Sequence, residues 1–210
     1  MSIKEQDKRM PAYFGFNIEF NKDAQNNSLV QVLFDALAEN KVNFNGGFRR
    51  SEGYTFEQQI KANQDYVNGS DDMHNGSFYQ ALFSFSDFSE VRGYWKVSDG
   101  ELMFHMIIPE EDFYEYVEHK TVHLTDKMNA VKDLCVSLWR MVPSILCIQT
   151  FWECSEIPPK YCRISAKRPP QTEPFSIVQK LKYNDAWCIN GRAIERAGML
   201  LEIDENWLWI

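Results

Sequence analysis

The runs Val91 to Ser98 and Glu101 to Ile108 stand on either side of Asp99-Gly100. That dipeptide tolerates the positive φ angles of a tight two-residue turn, so the two runs read as paired antiparallel strands. Leu102, Phe104, Met106 and Ile108 form one face of the second run. Tyr79 to Phe88 is a candidate third strand beside them. Parallel strands need crossovers of a dozen or more residues, and few spacers here are of that kind. The hairpin therefore directs the chain toward a mainly antiparallel sheet.

Other segments fit that frame. Phe14, Phe16, Ile18 and Phe20 alternate with Gly15, Asn17 and Glu19, the period of a half-buried strand. Asn26, Asn27 and Ser28 offer N-caps for a helix reaching Asn40, with Leu29, Val32, Leu33 and Leu37 on one face. Asn45-Gly46-Gly47 reads as a turn, and Asn68 to Gly76 as a loop that contains two Asn-Gly-Ser triplets. Thr55-Phe56-Glu57-Gln58 has the form of a capping box opening a polar helix through Tyr66. Pro109-Glu110-Glu111-Asp112 suits the first turn of another helix, where carboxylates meet the positive end of the dipole. Thr125 is a candidate cap for a better one, in which Met128, Val131, Cys135, Leu138 and Val142 recur every three or four residues before Pro143. Ser144 to Trp152 and Tyr161 to Ala166 read as strands. So do Met199 to Ile203 and Trp207 to Ile210, whereas Phe175 to Tyr183 fits either state. The expectation is an α+β fold, a mainly antiparallel sheet packed with two or three helices. Residues 1–11 read as a flexible tail and 12–210 as a single domain, with a possible subdivision near 143–170.

Composition bears on function by exclusion. Thirty acidic against 22 basic residues give a net charge of −8, and 44% of residues are hydrophobic. That is too apolar for intrinsic disorder, and too acidic for a general binder of nucleic acid or anionic membranes. No apolar run reaches the ~18 residues of a membrane span, and residues 1–9 lack the apolar stretch of a signal peptide. Five cysteines, an odd number, then read as free thiols in a reducing cytoplasm.

No familiar catalytic set is present: no nucleophile elbow, no phosphate loop, no paired CxxC. His119 and His123 are four apart and would share a helix face, with Glu115, Glu118 or Cys135 as further ligands. The glutamate of a zinc-protease helix is missing, so the expectation is no metal and no cofactor. Glu118-His119-Lys120 has a nuclease-like Glu-x-Lys form that needs a strand, whereas the local pattern reads as helix.

Charge distribution says more. Between Asp99 and Glu118 there are seven acidic residues and no Lys or Arg, whereas Lys160 to Lys182 holds six basic residues against Glu173 alone. On a helix, Glu111, Asp112, Glu115 and Glu118 would form an acidic face suited to a basic partner. Tyr13, Phe48, Tyr54, Tyr94, Trp95, Tyr114, Tyr116, Trp207 and Trp209 lie near turns, termini or charged stretches. Tyr94 and Tyr114 are the aromatic candidates for contact, since Tyr and Trp dominate interface hot spots.

In its acidic stretch, its aromatic content and its lack of a catalytic set, the chain resembles immunity proteins of bacterial polymorphic-toxin and contact-dependent inhibition systems. The resemblance implies a cytoplasmic α+β protein that is not an enzyme and that blocks a cognate toxin, often a nuclease, by direct binding. Two other readings stay open: an enzyme using His119, His123 and nearby carboxylates as acid and base, and a structural subunit of an oligomer.

Overall fold

The computed structural model describes residues 12–26, 28–69, 79–98, 100–118, 120–153, 158–165, 169–170, 174–180 and 191–202. The expected tail at 1–11, the tip of the Asn68 to Gly76 loop, Asp99, His119 and the strand expected at Trp207 to Ile210 lie outside them.

The Asp99-Gly100 hairpin is present: β4 (Val91–Ser98) pairs with β5 (Glu101–Pro109) from Ser98↔Glu101 to Arg92↔Ile107, and Gly100 takes φ +80°. It lies inside a nine-stranded sheet that also contains β1 (Tyr13–Phe20), β2 (Asn43–Arg49), β3 (Tyr79–Ser84), β8 (Ile145–Trp152), β9 (Phe175–Gln179), β10 (Arg192–Ile194) and β11 (Gly198–Glu202). The order is β10-β11-β9-β8-β1-β5-β4-β3-β2, with antiparallel pairing at every junction. A second sheet is the hairpin of β6 (Tyr114–Val117) and β7 (Lys120–His123). Chain from both sides of 143–170 contributes to the large sheet. With its helices, the molecule is α+β.

Three helices cover one sheet face: α1 (Leu29–Glu39), α2 (Phe56–Val67) and α3 (Thr125–Met141). Their apolar stripes meet Phe14, Phe16, Ile18 and Phe20 of β1, Phe104 and Met106 of β5, and Trp95 of β4 in one core. Each such fully buried side chain contributes about 1.5–3 kcal/mol relative to exposure. The capping box at Thr55 is complete, and Pro143 follows directly on the C-cap Val142 of α3. On α1 the buried residues are Leu29, Val30, Leu33, Phe34, Ala36 and Leu37, whereas Val32, expected inside, is 42% exposed.

Several local expectations are corrected. Asn45-Gly46-Gly47 is not a turn but a register shift inside β2, where Gly46 takes φ +123°. Tyr161–Ser165 is a short helix, α4, rather than a strand. The acidic helix expected after Pro109 is a single 3-10 turn (Glu110–Phe113) running into β6. β1 is buried on both faces, because it is the middle strand of nine and α4 lies on the side away from the other helices. No described helix is long and apolar enough to cross a membrane.

Candidate protein interface

The segment carrying most of the expected contact residues is the β6–β7 hairpin. Its root is fixed to the core by Phe113, 2% exposed, whose ring lies 4.7 Å from Phe14, 5.3 Å from Phe88 and 5.7 Å from Trp152. The Leu124 N–H donates to the Phe113 carbonyl at 2.9 Å and closes the base. Below it Lys127 pairs with Asp87 at 2.9 Å and lies 4.7 Å from the Phe88 ring.

Pairing runs Tyr114↔His123, Glu115↔Val122, Tyr116↔Thr121 and Val117↔Lys120. Since side chains alternate, one face carries Tyr114, Tyr116, Thr121 and His123, and the other Glu115, Val117, Lys120 and Val122. The Tyr114 ring stands edge-on to Tyr116 at 5.6 Å and to His123 at 6.3 Å. Partial burial raises the Tyr114 phenol above its ordinary pKa, reinforced by Tyr116, Glu110 and Glu111. Partial burial lowers that of His123. Both are neutral near pH 7. Tyr116 is 73% exposed, Val117 45% and Val122 41%; among the described residues Val32 alone joins them as an exposed large hydrophobic side chain.

The four acidic candidates separate. Glu111, Glu115 and Glu118 are exposed and make no ion pair among the described residues. Asp112 is turned inward: its carboxylate accepts the backbone N–H of Ser89 at 2.9 Å and its hydroxyl at 2.8 Å. Neither set lies on a helix, so the shared helical face is replaced by the root, strand and turn of one hairpin. Tyr94 is elsewhere, half-buried in mid-β4 and stacked on His105 at 5.1 Å. Tyr114 belongs to the hairpin and Tyr94 does not. Val117 and Val122 were not singled out from sequence, although β-branched Thr121 and Val122 after the Tyr-x-Tyr alternation carry the strand signal.

Among the described residues the acidic and basic stretches meet at one ion pair. Lys160 forms an ion pair with Glu101, which is 4% exposed. Among the described residues that pair consumes Glu101 and none of the hairpin acids.

The spacings behind the alternative chemistry take another form here. Glu118 sits in the hairpin turn with φ +49° and Lys120 opens β7, so the Glu-x-Lys pair shares no strand. His123 ends β7 rather than following His119 along a helix, and no metal-ligating cluster occurs among the described residues. Two clefts remain. One, of about 480 Å³ between α3 and β10, sets Arg140 and Arg192 against Asp133 and Glu195 over Trp139 and Ile194. The other, of about 520 Å³, is lined by residues that include Glu57, Ile60, Lys61, Gln64 and Asp65. In the first the opposite charges offset one another, whereas the second carries one acid in excess, Glu57 and Asp65 against Lys61.

No protein-family model matches this sequence, and no curated protein does. Among solved structures, the Pseudomonas aeruginosa T6SS protein PA0821 aligns with 91% of this chain at a TM-score of 0.44 and 10% identity. The chain spans 65% of that protein's length. This is a distant likeness in chain course and says nothing about activity.

Proposed function

We propose that the chain is a protein-binding module of the immunity-protein kind, which neutralises a basic protein toxin by direct contact through the β6–β7 hairpin. The observation that carries the reading is the hairpin itself. It carries Tyr116 on one face and Val117 and Val122 on the other, three of the four exposed large hydrophobic side chains among the described residues, beside the carboxylates of Glu111, Glu115 and Glu118, which make no ion pair among those residues. Exposed apolar side chains beside charge are typical of an interaction surface, and three carboxylates against the one cation Lys120 leave the described rim net negative, which favours a basic partner. Internal neutralisation by the basic stretch would have removed this argument, and it reaches only Glu101 among the described acids.

The test is capture from the source cell at low salt with two baits, the wild-type chain and a Glu111→Lys/Glu115→Lys/Glu118→Lys/Tyr116→Ala variant. The reading expects one basic protein to be held by wild type and lost with the variant, and its association with wild type to slow as salt rises. It also expects wild type, and not the variant, to suppress that protein's toxicity when the two are co-expressed. Equal capture by both baits would move the interface away from the hairpin.

A further inference from the structure

The sheet face away from α1, α2 and α3 carries a line of polar groups under one short segment. Residues 158–165, which include α4, are tied to three different strands there. The Tyr161 N–H donates to Glu19 Oε2 of β1 at 2.7 Å. Lys160 pairs with Glu101 of β5, and Gln149 of β8 donates to the Pro159 carbonyl at 2.7 Å. Ile164 and Tyr161 add an apolar seat on Cys147, Val178, Met199 and Leu201.

The charges in this seat do not balance. Glu19 and Glu101 are 6% and 4% exposed, and among the described residues the one cation paired with either is Lys160, whose side chain is half in solvent. Lys160 pairs with Glu101, which also accepts from Ser98 Oγ at 2.8 Å. Glu19 is left with one backbone N–H and the Cys147 thiol at 3.7 Å. A carboxylate buried without its own cation destabilises the charged form, and a proton removes that penalty.

We propose that residues 158–165 are a strap whose hold on the sheet tightens when Glu19 takes up a proton. A neutral Glu19 still accepts the Tyr161 N–H on one oxygen and no longer repels Glu101. Opening the strap hydrates Glu19 and returns it to the ordinary carboxyl range, so the open form binds the proton less tightly than the closed one. Closure is therefore favoured as pH falls through the closed-state value and weakened as pH rises toward it. Burial first, then Glu101, raises the Glu19 carboxyl above its ordinary value, in the direction this requires.

The other titratable groups around Glu19 are Glu101, Lys160, Lys96, His105, Cys147, Tyr161 and the exposed Cys162. Burial pushes Glu101 up, but Lys160 and Ser98 hold it below the ordinary carboxyl range, so its charge is lost only in stronger acid. Cys147 and Tyr161 are raised by burial and Lys160 by Glu101; all three keep their charge state at neutral and acidic pH. Burial, with a smaller push from Lys96, depresses His105 to about 4, and its contribution has the opposite sign. Comparing a Glu19 variant with wild type at each pH cancels it.

The experiment is hydrogen exchange of the full chain from about pH 8 to about pH 4, corrected for intrinsic rates, read on the amides of residues 160–165 in wild type and Glu19→Gln. Wild-type protection is expected to rise on acidification, by up to about tenfold per pH unit. Glu19→Gln, an isostere of the protonated acid, is expected to show the high protection throughout, with no such rise. Flat wild-type protection, or a variant less protected than wild type at every pH, overturns the proposal. Should Glu19→Gln fail to fold, Lys160→Gln combined with Glu101→Gln serves, since it leaves Glu19 as the carboxyl that titrates in the seat: strap protection should be low at neutral pH and rise in acid. A loss equal at all pH values overturns the proposal as well.

Discussion

Arg196 lies against Trp139, with its guanidinium carbon 4.7 Å from the indole centroid. The same guanidinium donates to the carbonyls of Trp139, Val142 and Pro143, the Val142 bond measuring 3.0 Å. In return, the indole N–H donates to the Glu195 carbonyl at 2.8 Å. The last carbonyls of a helix have no partner within it, and a cation there also meets the negative end of its dipole. The β10–β11 turn thereby caps α3 and fixes the far edge of the large sheet to the helical layer.

Replacing Arg196 by Met removes the donors and the charge but keeps much of the side chain's bulk. The expected cost is about 2–3 kcal/mol, read as a lower urea midpoint at unchanged slope. Arg196→Lys should recover less than half of it, because an ammonium cannot reach several carbonyls from one plane while stacked on an indole. Full recovery by lysine would mean that charge alone does the capping.

Asp112 and Glu115 are three residues apart and should behave oppositely. Asp112→Ala strips Ser89 of both its bonds and should cost about 1–2 kcal/mol of stability. Glu115→Ala touches nothing internal among the described residues and should stay within about 0.5 kcal/mol of wild type. With the captured partner in hand, the ranking should reverse: Glu115→Ala slows association, whereas Asp112→Ala acts only to the extent that it loosens the hairpin root.

The capping box of α2 has both bonds, Gln58 N–H to Thr55 Oγ1 at 3.3 Å and Thr55 N–H to Gln58 Oε1 at 2.8 Å. Thr55→Ala should cost about 1 kcal/mol and Thr55→Ser much less, measured by thermal unfolding. The helix is polar for most of its length, so its start depends on this cap more than that of α1, where Ser28 makes no side-chain cap bond.

What could be read from sequence follows where local and long-range preferences agree. Asp99-Gly100, the Thr55 box and the three-four spacing of α3 specify their elements with no help from distant chain, and all three form. Pro109 to Asp112 carries an equally good helix-start signal but gains only one 3-10 turn. Phe113 is drawn into the core, and Tyr114 to Val117 then find a partner strand after a two-residue connection. The polar residues of β1 pointed to solvent because alternation alone cannot reveal a cover. Glu19 is buried by a segment whose Tyr161 lies 142 residues away. The hairpin acids were legible as a charge run and not as a shape, so Asp112 looked equivalent to its neighbours until Ser89 was seen to take it.

His105 supplies the sharpest dependence on pH. It faces Asn17 of β1 in the sheet register and stacks on Tyr94, with the rings 13° from parallel. Burial is the main cause that depresses its pKa to about 4, and Lys96 adds to it. The unfolded chain binds the proton at the ordinary value near 6.5, so the folded state loses ground as pH falls from about 6.5 to about 4. At full effect this amounts to about 3 kcal/mol at the acid end of that window, with no loss above it. His105→Phe keeps a ring to stack on Tyr94 and removes the titration. Urea unfolding at intervals across the window should then show a wild-type decline that the variant largely lacks. Glu19, whose protonation favours the folded state, works against that decline in both proteins alike, so the difference between them reports His105. Parallel curves would show that His105 is solvated enough to titrate normally, and that the acid sensitivity of the fold resides in its carboxylates.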